Sequence, residues 1–178
     1  MRRLIAAIVA LIVGGAVFAQ HQHGSPYAGL QQRSIKSLSE EQMADLRAGR
    51  GMGLALAAEL NGYPGPAHVL ELADKLDLTT DQRAKVQALF DSMKAEAVPL
   101  GSRLIDQEAA LDKQFATHTI TQDSLKVATA EVAMTQGILR ETHLKYHLAT
   151  IAILSADQMH RYSDLRGYGD QSMMHHHN

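Results

Sequence analysis

The chain contains no cysteine and no tryptophan, and aromatic residues make up only 4% of its 178 positions. Without cysteine there is neither a disulfide nor a thiolate metal site, so packing alone must hold the fold. Few aromatics, and no sustained alternation of β-branched with polar residues, argue against a sheet-based core. No G-x-S-x-G, P-loop, H-E-x-x-H or glycine-rich dinucleotide fingerprint occurs, so the chain reads as a non-enzyme. Basic clusters are missing too: 17 Lys and Arg face 19 Asp and Glu, a poor balance for nucleic acid or anionic lipid.

Long hydrophobic runs are absent with one exception. "MRRLIAAIVALIVGGAVFAQ" has a basic start at Arg2 and Arg3, an apolar stretch and small residues before Gln20. This is the layout of a cleaved secretory signal over residues 1–19, cut after Ala19. The uncharged part, Leu4 to Ala19, has 16 residues. That is shorter than the roughly 20 that a spanning helix requires. Losing Arg2 and Arg3 leaves 15 basic against 19 acidic residues, a net charge of −4. The expected mature chain is exported, mildly acidic and without a membrane span.

What the chain does have is helical periodicity, which makes the expected fold class all-α. Residues 20–37, rich in Gln, His, Ser and Gly, read as a flexible leader, and 169–178 as a flexible Met/His tail. Between them, residues 38–168 read as one helical domain. Val86, Phe90, Met93, Ala97, Leu100, Leu104, Gln107 and Leu111 are separated alternately by four and three residues, a heptad seam. Leu125, Ala128, Val132, Thr135, Leu139, Thr142, Tyr146, Ala149 and Ile153 form a second seam. The short linker "ATHTITQD" predicts a long antiparallel hairpin, with Pro99 kinking its first helix. A further helix is expected from Ser39 to Leu60, weakened by Gly49, Gly51 and Gly53, and a shorter one begins at Pro66.

One pentapeptide, L-[ST]-x-x-Q, occurs three times: Leu38, Ser39, Gln42; Leu78, Thr79, Gln82; and Leu154, Ser155, Gln158. The hydroxyl accepts the backbone N–H three residues on, and the glutamine reaches back to the cap's own N–H. Each copy therefore predicts a helix start. Leu38 and Leu154 have Met43 and Met159 to pack against one turn later, whereas Leu78 faces Arg83 and needs another partner.

Two such motifs about 75 residues apart, flanking a hairpin in an exported cysteine-free helical chain, resemble the Spy/CpxP periplasmic family. That family includes the zinc-associated ZraP proteins and CnrX-type heavy-metal sensors. The resemblance covers roughly Leu70 to Tyr168. It implies a periplasmic, cradle-shaped, antiparallel helical homodimer acting in envelope stress. Its partners would be unfolded envelope proteins, captured without ATP, or a stress-signalling regulator. The alternative it implies is a copper, nickel or zinc sensor or resistance protein. The residues that metal-sensor relatives place before the second motif are Tyr146 and Thr150 here, a departure that weighs against carrying over the sensor site.

Ten histidines bear on that alternative. His143 and His147 are four apart on a helix and need a third ligand, for which His68 is a candidate. His21 and His23 near the start, and Met173, Met174, His175, His176 and His177 near the end, suit loosely held copper, nickel or zinc. No cofactor is required by any motif. Apolar positions outside the seams, Leu144, Leu148 and Ile151 first among them, are the candidate client-binding residues.

Overall fold

The computed structural model describes residues 25–169. The signal-like segment, His21, His23 and the Met/His stretch from Met173 to His177 lie outside the described residues. Among the described residues there is no strand, and no helix is long and apolar enough to cross a membrane. The helices are α1 (Glu40–Arg47), α2 (Leu56–Glu59), α3 (Pro66–Glu71), α4 (Thr80–Ala116), α5 (Gln122–Ile151) and α6 (Ala156–Leu165).

The long pair α4 and α5 is the frame. Every position of both heptad seams is buried or half-buried, from Val86 to Leu111 and from Leu125 to Ile153. The turn between the helices is tight: His118 takes a left-handed conformation (φ 54°) and Thr121 caps α5. A chain reversing within so few residues lays the second helix back along the first. Across the pair, the Tyr146 hydroxyl donates to Glu96 at 2.8 Å and Lys145 pairs with the same carboxylate. The Lys145 bond first, then Tyr146, hold the Glu96 carboxyl below its usual range. Helix α4 runs unbroken through Pro99. Pro99 and Ala95 are exposed, so the carbonyl deprived of its helical donor faces water.

Two apolar clusters rest on this frame. In one, Ile35, Met43 and Leu46 cover Ala97, Leu104, Ile105 and Leu139. Gly101 makes this possible, because a Cβ there would lie 2.2 Å from the Leu46 carbonyl oxygen. In the other, at the opposite end of the hairpin, Val69, Leu76 and Val86 meet Leu154 and Tyr162. Leu78, which lacks an apolar residue one turn on, packs into this second cluster instead.

Two expectations are corrected. The helix expected over Ser39–Leu60 is broken into α1 and α2 by a loop in which Gly49 (φ 65°), Met52 (φ 43°) and Gly53 (φ 85°) all have positive φ. Glycine adopts that conformation at little cost, so the "weakening" glycines build a turn. The leader expected to be mobile over 20–37 is in place by its second half: Leu30–Gln32 form a 3-10 turn, Ile35 joins the core, and Ser37 donates to Glu108 at 2.7 Å. A single apolar residue in a polar stretch gave no periodicity by which to see this.

Candidate functional site

All three pentapeptides form capping boxes. Ser39, Thr79 and Ser155 accept from the N–H of Gln42, Gln82 and Gln158, and each glutamine oxygen accepts from its cap's N–H. The second and third copies go further. Gln82 Nε2 donates to Gln158 Oε1 at 2.8 Å, and Gln158 Nε2 donates to Gln82 Oε1 at 3.0 Å. Each amide spends its second N–H on a loop carbonyl, Ile153 for Gln82 (2.9 Å) and Leu76 for Gln158 (3.3 Å). Asparagine would be a methylene too short, and glutamate would bring two carboxylates together without a donor. The clasp explains the invariant glutamine in these two copies, while Gln42 caps its own helix alone. It locks the start of α4 to the start of α6 and is structural in role.

A cleft of about 540 Å³ opens between the glycine loop, α3, α4 and the base of α5. His143 and His147, adjacent on one face of α5, form part of its floor with Phe90 and Met93 from α4. His143 is 2% exposed, and its Nε2 is buried without a hydrogen-bond partner. Burial first, and then the neighbouring His147, hold His143 below the usual imidazole range, so the ring is neutral near pH 7. His147 Nδ1 donates to the Tyr63 carbonyl at 2.6 Å, which fixes the tautomer. The rest of that ring lies against Gly65, where a Cβ would come within 2.7 Å of Nε2.

Beside the pair lies a buried carboxylate, Glu59, that the sequence reading passed over. Its oxygens accept from the Tyr162 hydroxyl at 2.5 Å and the Gly65 N–H at 3.3 Å. Arg166 lies 3.4 Å away, within ion-pairing range but not aligned as a hydrogen bond, and His147 lies at 3.9 Å. Burial, then the Glu59 bond, push the Tyr162 hydroxyl well above its usual range, so it stays a donor. Glu59, Tyr162 and Arg166 come from α2, α6 and the residue after it, and nothing in their spacing announces that they meet. Among the described residues no group of three His, Asp or Glu converges to hold a metal. His68 is occupied elsewhere, its Nδ1 3.0 Å from Glu71.

The third feature is a bare stripe. On α5, Val127, Ala130, Met134, Gly137, Glu141, Leu144, Leu148 and Ile151 repeat the three-and-four spacing of the inner seam on another face. Val127, Met134 and Leu148 are 58%, 69% and 58% exposed. Leu144 and Ile151, named from sequence with Leu148, are half-buried. The sequence reading chose the last turns of this stripe and missed its length, though the spacing was there to be counted. Ile105, another spare apolar residue, belongs to the core.

The chain matches no protein-family model, no curated protein and no solved structure.

Proposed function

We propose that this is an exported, ATP-independent chaperone-like protein of the periplasm that captures unfolded chains on the outer stripe of α5. The observation that carries the reading is a second apolar heptad face, about seven turns long, with nothing packed on most of it. A face of this kind marks an association surface in a soluble helical protein. Glu131, Arg140 and Glu141 lie on or beside it, so capture would be shallow and release fast. The resemblance of the paired motifs to the Spy/CpxP family points the same way.

The same stripe fits a second copy, and charge favours that reading specifically. Laid antiparallel on itself, it sets Val127 on Ile151, Ala130 on Leu148, Met134 on Leu144 and Gly137 on Glu141. In that register Glu131 of each copy faces Lys145 of the other. Dimer and client would compete for one surface, so a dimer would be the resting form.

The test is aggregation of a chemically denatured client followed by light scattering without ATP, alongside sedimentation of the same samples. The mature chain suppresses scattering at near-stoichiometric ratio, and Met134→Glu with Leu148→Glu removes the suppression while the helical signal stays. Unchanged scattering across a tenfold excess of the wild type overturns the chaperone reading. A monomer at all concentrations overturns the dimer.

A further inference from the structure

The cleft carries three recognition features that capture on the α5 stripe does not use. Its apolar body is formed by Phe90 and Met93, and a thioether beside a ring is a favourable neighbour for a second aromatic. One wall is the glycine loop, which lets a flat group approach the backbone closely; a Cβ on Gly51 would already lie 3.4 Å from His143 Nδ1. On the floor, His143 keeps a ring nitrogen buried and unpaired. Leaving such a group without a partner costs on the order of 1–3 kcal/mol, so a ligand that supplies the partner recovers that energy.

Charge selects the other end of the ligand. Glu59 is neutralised by Arg166, and Glu71 lies against His68. Lys94, at the mouth, makes no ion pair among the described residues; its ammonium rests 5.7 Å from the centre of the Phe90 ring. Arg50 stands at the same mouth, paired with Asp45. An anionic group there meets a cation that has nothing else to bind.

We propose that the cleft binds a small aromatic acid bearing a phenolic hydroxyl, its ring on Phe90 and Met93, its hydroxyl on His143 and its carboxylate at Lys94. A volume of about 540 Å³ accommodates one or two rings. A site that pairs a buried nitrogen with the hydroxyl discriminates against the same acid lacking it, because the nitrogen is then left unmet. The inference stands apart from the chaperone reading, since the α5 stripe and the cleft are different surfaces.

The probes are 4-hydroxycinnamate and cinnamate, titrated calorimetrically into the full mature chain. The expected result is one site per chain, with the hydroxylated acid bound at least about fivefold more tightly. Lys94→Glu, on an exposed position, weakens both acids at least about fivefold, as loss and reversal of the rim charge require. His143→Phe makes the two acids equal, and Met134→Glu on the outer stripe changes neither. Should His143→Phe fail to fold, the ring-nitrogen resonances of His143 in the wild type answer the same question: they move with 4-hydroxycinnamate and not with cinnamate. Equal affinity of the two acids for the wild type, binding that survives filling the cleft with Ala67→Trp, or no heat at millimolar acid overturns the proposal.

Discussion

Helix α5 has two apolar heptad seams of nearly equal length, and only one of them is covered. The inner seam, Leu125 to Ile153, is buried or half-buried throughout, with Leu139 at 2% exposure. The outer one, Val127 to Ile151, reaches 69% exposure at Met134. Composition does not separate them, since the inner seam is if anything the more polar, with Thr135 and Thr142 buried in it. What differs is the neighbour. The tight turn at Thr117–Thr121 lays α4 against one face, and α1, α2 and α3 are spent on α4 and the base of α5. Apolar periodicity shows that a helix wants partners; chain length and topology decide how many it gets.

Truncation should expose the contrast most strongly. Leu139→Ala is expected to cost about 3 kcal/mol, the usual loss for emptying a packed core site. Met134→Ala, of similar size and on the same helix, should change stability by less than about 0.5 kcal/mol. Urea unfolding of the two variants checks this, and equal losses would mean that the outer seam is covered in solution.

The next effect lies where the inner seam ends. Gln82→Ala removes a cap and leaves Gln158 and the Ile153 carbonyl short of partners, an expected loss of about 2 kcal/mol. Gln42→Ala removes a cap alone and should cost less than about 1 kcal/mol. A double substitution of Gln82 and Gln158 should then cost clearly less than the sum of the two single changes, because both break one clasp.

A smaller effect belongs to His143, on the inner side of the same helix. Its folded pKa lies below its unfolded value of about 6.5. Just below that value the unfolded chain binds more protons than the folded one, so stability rises with pH there and falls as pH drops. Urea midpoints should decline on going from about pH 7.5 to about pH 5.5, the interval over which histidine titrates. His143→Gln should flatten that decline, and an equal slope in both proteins would show that His143 does not control it. The least effect on folding is expected for Leu148→Glu. This charge on the outer seam should leave the urea midpoint nearly unchanged, within about 0.5 kcal/mol.

Much of the architecture was legible because it is written in local rules. A three-and-four spacing names a helix face, Thr121 and Ser155 name helix starts, and a short linker names an antiparallel return. The glycine loop was legible only as weakness: a propensity scale sees Gly49 and Gly53 as poor helix formers, whereas their positive φ makes them a turn that walls a cleft. Ile35 was invisible for a related reason, since one apolar residue has no period.

The sequence by itself determined which segments are helical, where Thr79, Thr121, Ser155 and Ser39 begin them, and which face of α4 meets which face of α5. These follow from interactions between residues at most a turn or two apart, together with a hairpin too short to allow another arrangement. Only the tertiary structure decided that Gln82 clasps Gln158, that Glu59 is buried against Tyr162 and Arg166, and that His143 sits unpaired at the floor of a cleft. Each of those depends on residues roughly 75 to 105 positions apart meeting within hydrogen-bond distance. No local period encodes such a meeting; it results from packing α2, α3 and α6 onto the base of the hairpin.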